Sequence, residues 1–133
     1  MITNEIIKIA SNTSNVGLTN KYTFKASKKN SLCGDMIKVE IIAKNSIINS
    51  MKYETESCVY CEASASLLAK VIKNTRINIT KKELKKIKEL PLIHISEKFP
   101  KKFSKFKSLI NKNNLNRLNC IFLPFDAVLK ALR

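Results

Sequence analysis

Glycine and proline are scarce in this chain, at 2 and 3 residues among 133. With no serine-rich or glycine-rich tract either, no segment reads as a flexible linker, and a second domain is not expected. No internal repeat is visible. Uncharged apolar runs stay well short of membrane-spanning length, and the opening Met1-Ile2-Thr3-Asn4-Glu5 lacks the basic start and continuous apolar stretch of a secretory signal. The expectation is a cytosolic protein forming one domain over residues 1–133, without a membrane partner. Four cysteines in that compartment point to free thiols or metal ligands rather than a disulfide framework. Acidic residues are also few. Ten Asp and Glu stand against 25 Lys and Arg, a formal net charge of +15. That balance suits nucleic acid, an anionic membrane or an acidic protein, and its sign alone does not choose among them. Arginine is limited to Arg76, Arg117 and Arg133. The planar fork that reads phosphates and guanine edges is therefore rare, and nucleic acid is not the expected partner.

What the chain does have is 44% apolar residues, enough for one core, arranged with clear periodicities. Ile2, Ile6 and Ile9 behind Thr3 predict a short helix over 3–11. Residues 12–20 are turn-rich, and Tyr22 to Ala26 alternates as an edge strand, followed by a polar approach from Lys28 to Ser31. Met36 to Ala43 and Ile47 to Thr55 read as two strands joined across Lys44-Asn45-Ser46, an antiparallel hairpin with one face covered by helices. Leu68, Ile72 and Ala65 fall at helical spacing in a segment from Glu62 to Lys73, with Cys58 at or just before its start and Asn74 as its C-cap. Thr80 and Glu83 fit a capping box for a helix over 81–90. Phe99, Phe103, Phe106 and Ile110 predict a further helix, with Pro100 in its first turn. Leu118 to Arg133 predicts a terminal helix carrying Cys120 in or beside its first turn.

The chemistry-bearing stretch is Asn30-Ser31-Leu32-Cys33-Gly34-Asp35. A thiolate and a carboxylate are both metal ligands, and a glycine between them can adopt backbone angles that let both face one point. Cys58 and Cys120 add two more potential ligands at segment ends. At the start of a helix, unpaired amides and the positive end of the dipole favour a thiolate at Cys58. Cys61 makes a Cys-x-x-Cys pair with Cys58, but a single pair is modest evidence, and Cys61 reads first as a small core residue. His94, in the apolar run Leu92-Ile93-His94-Ile95, reads as a packed or surface histidine.

The order of these elements resembles the NifU N-terminal, or IscU-like, family of iron–sulfur cluster assembly proteins. The matching pieces are Asn30 to Asp35, then Cys58 followed by Ala63-Ser64-Ala65-Ser66, then Arg117-Leu118-Asn119-Cys120 before the apolar terminal helix. The 62 positions from Cys58 to Cys120, and Arg117 three before Cys120, are similar to the SufU branch. The resemblance implies an α+β domain, a small three-stranded antiparallel sheet packed against several helices, with Cys33, Asp35, Cys58 and Cys120 meeting at one end. It further implies that these residues hold a transient iron–sulfur cluster, or zinc, with Arg117 in support. Cys120 matches the residue that accepts sulfur from a cysteine desulfurase, and the other partners are iron–sulfur assembly proteins. Such a chain is a scaffold rather than an enzyme, or a zinc-dependent sulfur carrier if it follows the SufU pattern. IscU-type members place a histidine before the third cysteine, where this chain has Asn119, so a histidine-ligated cluster is not expected. Ser57 stands where a glycine is usual, and Cys61 is an added thiol.

Two readings of another kind stand beside this one. A zinc-stabilised basic binding module would use Cys33, Cys58, Cys61 and Cys120 as a structural site and its lysines to contact nucleic acid or an acidic protein. A family member without metal would serve only as a docking partner.

Overall fold

The computed structural model of the chain describes residues 2–91 and 99–133. His94 and its apolar run lie outside the described residues. The order of elements is α1 (Asn4–Ala10), β1 (Phe24–Lys29), β2 (Met36–Lys44), β3 (Ile47–Glu56), α2 (Val59–Val71), α3 (Ile77–Lys88), two 3-10 segments (Lys101–Ser108 and Lys112–Arg117) and α4 (Leu118–Ala131). The three strands form one antiparallel sheet in the order β1-β2-β3. This is the α+β arrangement expected from the sequence.

The β2–β3 hairpin turns through Asn45 and Ser46, both with positive φ (54° and 65°). Two successive left-handed residues match the right-handed twist of the strands, and asparagine tolerates that conformation well. A register shift at Ile42/Ala43 places Ile37, Val39 and Ile41 with Ile48, Met51 and Tyr53 in the core. Helices α2 and α4 pack on each other, α2 against β3 and α4 against β1 and β2, and α1 lies on α2. The opposite side of β2 carries Glu40, which is buried. Its carboxylate accepts hydrogen bonds from the backbone N–H groups of Thr19 and Asn20 and from the Thr19 hydroxyl. Charge-assisted bonds of this kind tie the turn-rich segment to the sheet. An alternating pattern had given no reason to expect it.

Four element boundaries differ from the sequence expectation. Strand β1 starts at Phe24 and continues to Lys29, pairing Lys28 and Lys29 with Ile37 and Met36, because an edge strand can expose its lysines without cost to the core. Helix α2 starts at Val59 and has Ile72, not Asn74, as its C-cap; Asn74 instead takes a left-handed conformation (φ 65°) two residues later. Helix α3 starts at Ile77, four residues before the expected start at 81. Thr80 therefore lies inside it, buried, with its N–H bonded to the Arg76 carbonyl. The phenylalanine stripe forms a 3-10 segment rather than an α-helix. Phe103 and Phe106 are three apart, the period at which 3-10 side chains line up, and both are buried. Phe106 meets Phe125 of α4 edge to face at 5.3 Å between ring centroids, joining this segment to the terminal helix.

Candidate metal centre

The loop from Asn30 to Asp35 closes on itself before β2 begins. The Asn30 N–H donates to the Asp35 carbonyl (2.8 Å), the Gly34 N–H to the Asn30 carbonyl (2.8 Å), and the Leu32 N–H to the Asn30 side-chain oxygen (3.0 Å). Gly34 has φ +76°, a region that costs an L-residue roughly 1–2 kcal/mol, while nothing lies within 4 Å of where a Cβ would stand. Glycine is needed here for its backbone angle, not for space. The consequence is that Cys33 and Asp35, on either side of it, face the same point.

That point is shared with α4. One ligand atom each from Cys33, Asp35 and Cys120 all lie within 4.8 Å of one another, and the Cys33 and Cys120 sulfurs are 3.9 Å apart. Cys33 is exposed, whereas Asp35 and Cys120 are only 8% and 5% exposed. Asp35 Oδ2 is buried with no hydrogen-bond partner among the described residues. A buried acceptor without a donor costs free energy, and a cation is one partner that would satisfy it. Two thiols beside a carboxylate make a donor set suited to zinc or iron.

Cys58 is the N-cap residue of α2 and is half-buried. Its side chain makes no capping bond, which leaves the sulfur free to face the site. It falls outside the tight group of three but adjoins Cys120. Burial first, then hydrogen bonding and like charge from Cys58 and from Cys33, push the Cys120 thiol up from its ordinary value. A bound cation reverses that tendency, since thiol ligands bind deprotonated.

Two serines that family likeness had flagged only as a motif hold α2 in place. The buried Ser64 hydroxyl donates to the Ile121 carbonyl at 2.6 Å, fixing α2 against the turn of α4 that carries Cys120. The Ser66 hydroxyl donates to the Asn12 carbonyl at 3.2 Å and ties α2 to the chain after α1. Pro124, inside α4, has no N–H to offer the Cys120 carbonyl, so the helical bond at that turn is absent. Arg117, the exposed residue before α4, sits with its guanidinium carbon 5.6 Å from the centre of the Tyr60 ring in the first turn of α2. Asn119 is exposed beside the site loop.

Cys61 is placed differently. It is fully buried in the core. Burial pushes its thiol up to about 12, with Ser57 hydrogen bonding opposing and Asp35 and Cys58 adding to the rise. Cys61 is near the site but is a core residue, the reading preferred from the sequence over a Cys-x-x-Cys metal pair.

The fold and the site thus define a class: a small α+β domain whose sheet end and terminal helix present two thiols and a buried carboxylate to one point, with a third thiol beside them. Residues 1–98 match the NifU-like N terminal domain family, and the chain belongs to it. Among solved structures, a nitrogen-fixing NifU-like protein (N-terminal) from Brucella abortus is similar over 98% of this chain and 91% of its own, with a TM-score of 0.79 and 20% identity. A candidate iron–sulfur cluster assembly scaffold protein for the SUF system from the thermophile Fervidobacterium islandicum AW-1 is similar over 99% and 96%, with a TM-score of 0.79 and 17% identity. At these identities the likeness concerns the fold. No curated protein matches the sequence significantly. Among the described residues, no helix is long and apolar enough to cross a membrane.

Proposed function

We propose that residues 1–133 form one cytosolic iron–sulfur assembly domain, closest to the SufU branch, that serves as scaffold or sulfur acceptor. The observation that carries this reading is the convergence of Cys33, Asp35 and Cys120, with one Asp35 oxygen buried and without a partner among the described residues. Cys33, Asp35, Cys58 and Cys120 would hold the cargo cluster or a zinc ion. When bound, the metal withdraws negative charge from the thiolates and keeps them deprotonated.

The roles divide by environment. Asp35 is the weaker ligand for a thiophilic metal, and its displacement opens a coordination position while the thiolates remain. Cys33, on an exposed loop, is the residue a partner reaches first. Cys120 is the proposed sulfur acceptor: its thiolate attacks the outer sulfur of a desulfurase persulfide, a new sulfur–sulfur bond forms on Cys120, and the desulfurase cysteine leaves as a thiolate. No electrons are gained or lost overall. Arg117 supports the site from its position over Tyr60, next to the start of α2.

A zinc-stabilised basic module built on four cysteines has less support, because Cys61 points into the core and a carboxylate occupies the site instead. The deciding experiment is anaerobic purification followed by metal analysis and an absorption spectrum, on the wild type and on Cys58→Ala. A visible cluster spectrum favours the scaffold, and stoichiometric zinc without visible absorption favours the sulfur carrier. Absence of both, with no sulfur uptake from a desulfurase, overturns the proposal.

A further inference from the structure

The strongest feature outside the thiol site is a furrow of about 390 Å³ between β1, α3 and α4. Six cations from these elements and the chain just past α4 converge on it: Lys28, Lys81, Lys85, Lys88, Lys130 and Arg133. They meet one acid, Asp126, which is already paired with Lys88. The α3 lysines at 81, 85 and 88 recur at four and three positions, which sets them on one side of that helix. Lys130 is held in place by donating to the Ser27 carbonyl at 3.1 Å. A neighbouring cavity of about 310 Å³ shares Lys28, Lys88 and Asp126 and reaches Leu32, Asn119 and Phe122. The furrow therefore runs from the C-terminal end of α4 to the loop that carries Cys33. At that end Leu32 stands 81% exposed among mostly polar residues, one apolar side chain open to a partner.

We infer that this furrow is a docking surface for an acidic protein segment that carries an apolar anchor residue at the end lying over Leu32. Charge complementarity sets the sign, because cations gathered around one trough attract a run of carboxylates and speed its encounter. The exposed Leu32 and the side-chain types set the class. A nucleic acid is gripped by arginine forks and by stacking on exposed aromatic faces. Only one of the six cations is arginine, Leu32 cannot stack, and Phe122 is half-buried against Phe125 at 5.4 Å. A carboxylate-rich segment ending in an aliphatic residue fits both parts of the surface. This inference does not depend on which metal or cluster the thiols hold. Its consequence is that a bound partner lies beside the exposed Cys33.

The test uses the purified chain of residues 1–133 and two fluorescent probes of similar charge: a glutamate-rich peptide with a leucine at one end, and a twelve-nucleotide oligothymidylate. Lys85→Glu/Arg133→Glu reverses two furrow charges. Lys8→Glu/Lys70→Glu makes the same change in net charge on α1 and α2, away from the furrow. All four residues are exposed, and circular dichroism checks that each variant is folded. The expected result is tenfold or greater loss of peptide binding in the furrow variant, less than twofold loss in the other, and a loss in Leu32→Ser seen only with the leucine-bearing peptide. Equal losses in the two double variants would assign binding to diffuse charge and overturn the inference. So would tighter binding of the oligothymidylate than of the peptide.

Discussion

Asp35→Ala is expected to move the metal-free and the zinc-loaded protein in opposite directions. Asp35 is 8% exposed, and one of its oxygens is buried without a donor among the described residues. An unsatisfied buried polar atom costs about 1–3 kcal/mol, and removing it recovers part of that. Against this stands the packing of a short side chain, worth less than a large apolar one. The backbone bonds that close the loop, Asn30 N–H to Asp35 carbonyl and Gly34 N–H to Asn30 carbonyl, survive the substitution. The net expectation is a gain of about 1 kcal/mol, or about 3–5 °C in Tm for a domain of this size. With zinc the sign reverses. Losing one ligand should weaken affinity at least roughly tenfold, which removes about 1.4 kcal/mol of metal-dependent stabilisation at saturating zinc. Thermal melts of wild type and Asp35→Ala with chelator, and again with excess zinc, measure both effects. A variant that is less stable without metal and keeps the full zinc increment would refute the reasoning and leave Asp35 as a turn residue.

Other expectations follow from single contacts. Thr80→Val should stabilise the chain by about 1 kcal/mol in urea denaturation, because the Thr80 hydroxyl is buried in α3 without a partner among the described residues; a loss of similar size would restore Thr80 as a helix cap. Cys61 should resist alkylation of the native protein at pH 8, being fully buried with its thiol pushed up to about 12, while exposed Cys33 reacts first, as peptide mass mapping would show. Cys61→Ala should keep full metal content, and a lost metal would make Cys61 a ligand. Phe106→Ala should cost about 3–5 kcal/mol, since the ring is fully buried between Phe103 and Phe125 and links the 3-10 segment to α4.

How much of this was legible beforehand depends on what kind of signal each residue sends. The β2–β3 hairpin announces itself through alternation and through an Asn-Ser turn that accepts left-handed angles, and Cys58 at the head of α2 follows from the switch in period there. The edges of elements are less visible. Thr80 and Glu83 have the spacing of a cap, yet the helix starts at Ile77, because Ile77 N–H bonds back to the Ser46 carbonyl and fixes an earlier entry. That contact spans the hairpin and is written in no local pattern. Glu40 and Ser64 are similar cases: each is a polar residue in an apolar stretch whose partners, Thr19 with Asn20 and Ile121, come from distant parts of the chain. The site itself was half legible. Cys33, Gly34 and Asp35 give a local reason to face one point, but the approach of Cys120 needs the packed α2–α4 pair, and only family likeness anticipated it.

The most direct test of the central claim is X-ray absorption at the zinc edge on the zinc-loaded chain of residues 1–133. The account predicts three sulfur neighbours at about 2.3 Å and one oxygen at about 2.0–2.2 Å, with the oxygen shell altered in Asp35→Ala and one sulfur lost in Cys58→Ala. Four sulfurs in the wild type, or an imidazole nitrogen in the shell, would contradict it.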